Sequence, residues 1–216
     1  MNEPIAAYPP ADWKHLRAPR VTPLPAPQRH AGHKLLLWAT RRAVGAQSNL
    51  TVIETFLRLG RIGPVYLFWL DALLFKGEIG RAEKESIVLR TAWRTGCVYE
   101  WTHHTHLALK AGLSTADVRS IAAEDSPAWT TRQRTFMQAV DELLSRHVLS
   151  DARWRELRQH LSEEQCVEFC MVCGHYAMVS MTLNATGVRV EPEFALGALP
   201  DGSDQAGARA RLEVVS

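Results

Sequence analysis

The sequence has 216 residues and a formal net charge of +2, with 46% hydrophobic and 22% charged residues. This length supports one domain with a sizeable core, and the scattered, nearly balanced charges argue against a nucleic-acid or membrane-surface protein. The most apolar run, residues 65–75, is about half as long as a membrane-spanning helix. We therefore expect no nucleic-acid partner and no membrane partner.

The first 29 residues hold seven of the eleven prolines and show no periodic apolar pattern. Such a segment buries too little apolar surface to fold alone, so residues 1–29 are predicted to form an extended arm. They also lack the apolar core of a signal peptide, which predicts a cytoplasmic protein whose four cysteines are free thiols. Pro and Gly after Gly187 predict an irregular tail over 189–216, which leaves a domain over residues 30–188.

Within this domain, apolar residues recur at spacings of three and four, which predicts helices almost throughout. Glycines end several of the predicted helices, and two capping boxes begin others. Ser126–Pro127 predicts the start of a long helix that runs to about His147. Because no stretch alternates with period two for long, the predicted fold class is all-α, with roughly eight helices.

Residues 96–106, GCVYEWTHHTH, place a Cys, a Glu and three His within eleven positions. At about 100° of rotation per residue, one face of this helix holds a distinct set of side chains. The residues on that face are Cys97, Glu100, Trp101, His104 and Ala108. His103 and His106 point elsewhere and are predicted to be bystanders.

Three kinds of site fit this face. A metal site would use Glu100 with His103 or His104, but the second Glu-x-x-His of a di-iron bundle and the spacings of a zinc site are missing, so no metal is expected. Cys97 could instead be a nucleophile activated by the helix N-terminus and a nearby His. Glu100 and His104, one turn apart, could also relay a proton. A buried Cys97 beside surface histidines fits the residue types equally well.

The order of residues from 83 to 122 resembles the carboxymuconolactone decarboxylase / alkylhydroperoxidase D family. That family's motif runs from a Glu in one helix to Cys-x-x-(Cys or Glu)-x-x-x-His in the next, and then to A-x-x-x-G-L-[ST]. The motif positions are filled here by Glu85, Cys97, Glu100, His104, Ala108, Gly112, Leu113 and Ser114. Residues 165–188 also resemble the family's closing helix. The resemblance covers about residues 45–190 and implies an alkylhydroperoxidase D-like helical bundle.

The activity that the resemblance implies depends on residue 100. In the alkylhydroperoxidase branch, two Cys form a redox disulfide while a Glu and a His relay protons. Glu100 stands here in place of the second Cys, so the sequence resembles the decarboxylase-type branch and Cys97 has no resolving thiol beside it. The resemblance implies a cofactor-independent lyase that acts on a small carboxylated or lactone metabolite. Glu85, Glu100 and His104 would be its proton relay, and Cys97 would line the catalytic site or assist.

Further residues are candidates for substrate contact. Arg90 or Arg94 could hold a substrate carboxylate bidentately, although a solvent-facing Arg is the alternative. The other candidates are Trp69, Tyr99, Trp101, His175 and Tyr176. The remaining cysteines, Cys166, Cys170 and Cys173, form one stripe of the last helix and are interpreted as packing thiols, since no helix start or cation favours a second redox pair there.

Two alternatives to the acid–base enzyme stay open from the sequence. One is a thiol-dependent peroxidase or oxidoreductase that uses Cys97, and the other is a catalytically silent helical scaffold. The resemblance also implies a homo-oligomer, such as a dimer, trimer or hexamer. For either enzyme, the expected partner is a small-molecule substrate, and no cofactor is expected.

Overall fold

The computed structural model describes residues 18–194, except for the side chains of residues 43 and 44, and this range contains no strand. Nine α-helices lie within it, together with three short 3-10 helices. The α-helices are α1 (Ala31–Val44), α2 (Thr51–Phe56), α3 (Ile62–Phe75), α4 (Arg81–Thr95), α5 (Val98–Lys110), α6 (Thr115–Ala122), α7 (Thr131–Arg146), α8 (Asp151–Arg158) and α9 (Glu163–Thr186). The predicted all-α class is confirmed, with one helix more than the roughly eight expected.

Local sequence signals explain where the helices begin. Both predicted capping boxes are present, at the starts of α6 and α9. Helix α7, however, begins at Thr131, later than the predicted start at Ser126–Pro127. Thr130 and Gln133 form a capping box there, while Trp129 remains in a turn that precedes the helix. The capping box therefore determines the helix start more strongly than the Ser-Pro pair.

Helix α4 lies at the centre of the fold, where it packs against α5, α6, α7 and α9. Its buried residues include three charged ones, Lys84, Glu85 and Arg90. The Lys84 ammonium lies 2.6 Å from Glu168 Oε1 of α9 and donates to the carbonyl of Leu73. Charged groups are tolerated in a core when each is paired in this way. Helix α4 therefore places charged side chains in the interior, where it packs against α5.

A second apolar cluster lies between α2, α3 and neighbouring ends of α5 and α9, and it includes Leu24 of the N-terminal segment. The backbone N–H groups of Arg20 and Val21 both donate to the carbonyl of Thr186. Residues 18–29 therefore lie along this end of the helical fold. Residues 1–17 of the predicted arm and 195–216 of the predicted tail fall outside the described residues, so the domain boundaries stay predictions.

Helix α9 is long and apolar enough to cross a membrane, judged by length and composition alone. Half of its apolar window is buried inside the fold, as expected for the core helix of a globular domain. Helices α3 and α9 also expose large apolar side chains. These are Ile62, Val65, Phe68 and Phe75 on α3, and Val167, Met171, Met178 and Met181 on α9. Exposed apolar surface of this kind is typical of interaction surfaces, and the expected homo-oligomer stays a prediction.

Candidate active site

Buried polar residues of α4 and α5 meet because Gly96, at a φ of 63°, turns the chain tightly between the two helices. His104 Nδ1 lies 2.7 Å from Glu85 Oε2, and His104 Nε2 lies 3.3 Å from Glu100 Oε2. The imidazole is thus held between two carboxylates, one from each helix, and none of the three side chains is more than 8% exposed. The structure brings together the three residues that the sequence places in a proton relay.

The two carboxylates determine the charge of the ring between them. Burial alone would lower the pKa of His104, but the charges of Glu85 and Glu100 and their hydrogen bonds outweigh burial and raise it to about 9. At neutral pH the ring is therefore an imidazolium. The Arg81 guanidinium lies 2.5 Å from the second oxygen of Glu85, so two cations balance the two carboxylates.

Glu100 and His104 both border a cavity of about 580 Å³. Its wall is mostly apolar and comes from α1, α2, α3, α5 and α9. The apolar lining includes Leu36, Ile53, Phe56, Leu67, Leu70 and Val179. A cavity of this size and composition suits a small organic ligand, since pockets for such molecules are mostly apolar with a few polar groups. Glu85 lies behind His104 and is not part of the wall, so it can affect a bound molecule only through that ring.

Cys97 precedes α5 as its N-cap residue, fully buried within the second apolar cluster and outside the cavity wall. Burial, followed by the negative charge of Glu100, raises the pKa of its thiol to about 12. This shift is opposite to the lowered pKa that a thiolate nucleophile needs at neutral pH. The helix N-terminus is where the sequence expects it, but desolvation outweighs its effect on the thiol.

The structure places Arg90 away from the cavity. Its guanidinium donates to both carboxylate oxygens of Asp141, at 2.8 and 2.6 Å, and to the carbonyls of Ile121 and Ala123. Arg94 pairs with Asp141 as well, nearer the surface. Arg90 is therefore neither a substrate ligand nor the solvent-facing residue that the sequence offers as the alternative. It joins α4 to α7 and to the end of α6.

Three further candidates lie near the cavity without forming its wall. Trp101 is 1% exposed in the main core, where its ring packs 5.1 Å from that of Trp93. His175 accepts a hydrogen bond at Nδ1 from Trp69 Nε1, and its Nε2 lies 3.3 Å from the Tyr66 hydroxyl. Burial lowers the pKa of His175 to about 4, so the ring is neutral and its Nε2–H donates to Tyr66.

Tyr99 and Tyr176 do form part of the cavity wall. The Tyr176 ring meets the His104 ring edge-on, with centroids 4.8 Å apart. Its hydroxyl is buried and has no hydrogen-bond partner among the described residues. Burial raises the pKa of Tyr176 well above its ordinary value, so this hydroxyl stays protonated and can donate.

His103 and His106, which the sequence sets aside as bystanders, also border the cavity, and that prediction is corrected. The cavity spans more of α5 than the single face that carries Glu100 and His104. His103 Nε2 lies 2.7 Å from Glu191 Oε2, a residue of the segment that follows α9. Phe194 of the same segment contributes to the wall. Sequence reasoning missed both of these C-terminal residues.

The cysteines of α9 behave as packing thiols. Cys166 and Cys173 are buried in the main core, and Cys170 packs partly against it. Burial raises the pKa of all three thiols. Within residues 18–194, no group of three or more His, Cys, Asp or Glu side chains is arranged to hold a metal ion.

Residues 66–142 match the sequence model of the carboxymuconolactone decarboxylase family. This match covers about a third of the chain, which therefore contains a segment of this family. The matched segment contains Glu85, Cys97, Glu100 and His104, so the relay lies inside the family's part of the chain, whereas Tyr176 and Glu191 lie outside it. No curated protein sequence matches the chain significantly.

Three solved structures are similar to this chain in fold. An alkylhydroperoxidase AhpD core, peroxidase-related protein from Ralstonia eutropha JMP134 is 20% identical over 85% of this chain and 98% of its own, with a TM-score of 0.72. A peroxidase-related protein from Silicibacter sp. TM1040 is 15% identical over 86% of this chain and 95% of its own, with a TM-score of 0.69. The debrominase Bmp8, as a cysteine-to-alanine variant in complex with 2,3,4-tribromopyrrole, is 15% identical over 94% of this chain and 100% of its own, with a TM-score of 0.70.

These TM-scores show that the chain shares its fold with the three proteins. The match to the family model supports an enzyme-like role at the family level.

Proposed function

We propose that this protein is an acid–base enzyme that decarboxylates a small carboxylated or lactone-type molecule, or cleaves it in a related lyase reaction, without a cofactor. The observation that carries the proposal is the buried chain of Glu85, His104 and Glu100, which ends at the wall of an apolar cavity. Such a chain holds one transferable proton between fixed carboxylates, and the cavity provides room for a small substrate.

Decarboxylation needs a proton at carbon, and the relay can supply it. When the bond between the substrate carboxylate and its neighbouring carbon breaks, the electron pair of that bond remains on the organic fragment as an enolate, and CO₂ leaves. The imidazolium of His104 passes a proton to Glu100, and Glu100 delivers it to the carbon. Glu85 keeps the ring charged and oriented, and a proton from solvent restores the starting state. Apolar walls favour the reaction because the substrate loses its charged carboxylate.

The first test uses carboxymuconolactone in heavy water. The proposed function predicts CO₂ release together with incorporation of one deuterium at a carbon of the enolate that the loss of CO₂ leaves. Other carboxylated lactones and cyclic keto acids of similar size form the remainder of the panel. If no member of the panel releases CO₂ or exchanges a proton at carbon above the buffer rate, the proposed function is wrong.

Tyr176 is proposed to donate its unpartnered hydroxyl to the developing enolate oxygen. We expect Tyr176→Phe to lower kcat about tenfold, which corresponds to the loss of one hydrogen bond of ordinary strength. Stability should not fall, because the hydroxyl bonds to no described residue and the ring stays in place. Thermal unfolding and steady-state kinetics would check both expectations. Tyr66→Phe is the matched control for stability, since its hydroxyl does have a partner in His175.

The thiol-peroxidase alternative makes Cys97 essential, whereas the proposed acid–base function does not. We expect Cys97→Ser to retain decarboxylation within about threefold, since the residue lies outside the cavity wall and Ser is favoured at an N-cap. Peroxide consumption should be at buffer level in both proteins, because the raised pKa of the thiol leaves almost no thiolate. Peroxide reduction by the wild type that Cys97→Ser abolishes would favour the alternative. Intact activity in every relay variant would favour a silent scaffold.

A further inference from the structure

His103 of helix α5 forms a second carboxylate–imidazole pair beside the relay, with Glu191 as its carboxylate. His103 Nε2 lies 2.7 Å from Glu191 Oε2, and the Glu191 side chain is only 4% exposed. The other oxygen of Glu191 accepts hydrogen bonds from the Tyr99 hydroxyl, at 2.8 Å, and from the backbone N–H of Thr51. The carboxylate is thus held by three donors from α2 and α5, although it comes from the segment after α9.

These donors keep Glu191 ionised. Burial would raise the pKa of its carboxyl group, but the hydrogen bond and charge of His103 and the N–H of Thr51 outweigh burial and lower it to about 2. A carboxylate fixed in this way orients the imidazole that it contacts.

The His103 ring has only one edge left for a bound molecule. Its centroid lies 4.4 Å from that of Tyr99 and 4.5 Å from that of Phe194, so aromatic rings flank it, and Nε2 is engaged by Glu191. The side chain still borders the cavity and is 12% exposed. The remaining edge, which carries Nδ1, is the part that can meet a ligand.

We propose that His103, positioned by Glu191, is a second acid–base group of this cavity. This inference rests on the proposed function and extends it to the substrate class. His103 and His104 leave α5 about 100° apart and border the same cavity, so a bound molecule meets two proton-transfer groups from different directions. His103 removes a proton from one position while the relay adds one at another. The substrate is therefore a carboxylated molecule that also has an acidic C–H or enolic O–H.

The experiment isolates proton removal with a probe that needs no knowledge of the natural substrate. 5-Nitrobenzisoxazole is a small aromatic molecule from which a base takes one C–H proton. The C–H electron pair then forms a nitrile, the N–O bond breaks, and a coloured phenolate is released. Both nitrogens of the His104 ring face carboxylates, and His103 Nε2 faces Glu191, so His103 Nδ1 is the accepting nitrogen.

We expect the wild type to accelerate this elimination and His103→Gln to lose at least about tenfold in kcat, since general bases contribute this much or more. Gln can still donate to Glu191, so the C-terminal segment should remain in place. Glu191→Gln should lower kcat several-fold with KM unchanged, and Glu191→Asp should recover part of the loss. His160→Gln, outside the cavity wall, is the matched control and should match the wild type.

A rate that survives His103→Gln, or a wild type no faster than free imidazole, would overturn the inference. A rise in KM without a fall in kcat for Glu191→Gln would assign Glu191 a structural role only. The proposed function is measured separately, as CO₂ release from carboxymuconolactone. If the wild type catalyses the elimination but releases no CO₂, the decarboxylase proposal is wrong, whereas the assignment of His103 as a base is supported.

Discussion

Replacing His104 by Gln should lower kcat for decarboxylation by about 10²- to 10⁴-fold, the range that a positioned acid–base group contributes. Among residues 18–194, this ring alone bridges Glu85 and Glu100, so its loss separates the cavity from the proton source behind it. The measurement is CO₂ release from carboxymuconolactone under saturating substrate. His160→Gln, with the same change outside the cavity wall, should keep wild-type activity. A His104→Gln protein that is folded and fully active would show that the relay does not carry the reaction.

The pH dependence of activity follows from the same ring. Because the pKa of His104 is about 9, the imidazolium and the activity should persist at neutral pH and fall as the pH rises through about 9. Glu85→Gln removes the charge that contributes most to raising this pKa, so the alkaline fall of the pH–activity profile should move to lower pH. The free energy of unfolding should also fall as the pH rises. Protonation of His104 stabilises the folded protein fully below pH 6.5, the ordinary pKa, and this contribution is lost as the pH approaches 9, the pKa in the folded protein.

The relay was within reach of sequence reasoning because its geometry is local. Glu100 and His104 are one turn apart on a single helix, and Glu85 is nineteen residues before His104 on the preceding helix. The tight turn at Gly96 causes α4 and α5 to pack side by side. Helix periodicity, a glycine stop and the family resemblance together sufficed for this part of the site.

The partners of Arg90 and His103 could not be reached in the same way. Asp141 lies 51 residues after Arg90, and Glu191 lies 88 residues after His103. No periodic pattern connects elements so far apart, since their meeting depends on how the helices pack. One signal was present in the tail, where Val188 and Val190 alternate with polar residues and pack against the second apolar cluster. Alternation predicts a segment that covers a core, even when Pro and Gly surround it.

The helical wheel failed for His103 because it assumes that a site occupies one face. A wheel shows which side chains of one helix lie together, but it does not show how wide the surface opposite them is. The cavity receives walls from five helices and the C-terminal segment, so it borders α5 over an arc that includes His103, His104 and His106. The width of a cavity is a property of tertiary packing.

The largest loss of stability should come from Arg90→Ala, at about 3 kcal/mol in the free energy of unfolding. The Arg90 side chain is 1% exposed, and its removal leaves the carbonyls of Ile121 and Ala123 without their charged donor. Asp141 keeps one partner, Arg94, which holds the loss at the lower end of the range for buried ion pairs. Urea unfolding, with the m-value compared between variants, measures the change.

Arg94→Ala is the matched control, because it removes the same kind of side chain from the same carboxylate. Arg94 is 26% exposed and Asp141 retains Arg90, so we expect a loss of about 1 kcal/mol or less. Arg90→Lys should recover only part of the Arg90→Ala loss, since an ammonium cannot bond both carboxylate oxygens and two carbonyls in one plane. Because Arg90 does not reach the cavity wall, the KM of folded Arg90→Lys should equal that of the wild type. A raised KM with unchanged stability would instead restore Arg90 as the residue that binds the substrate carboxylate.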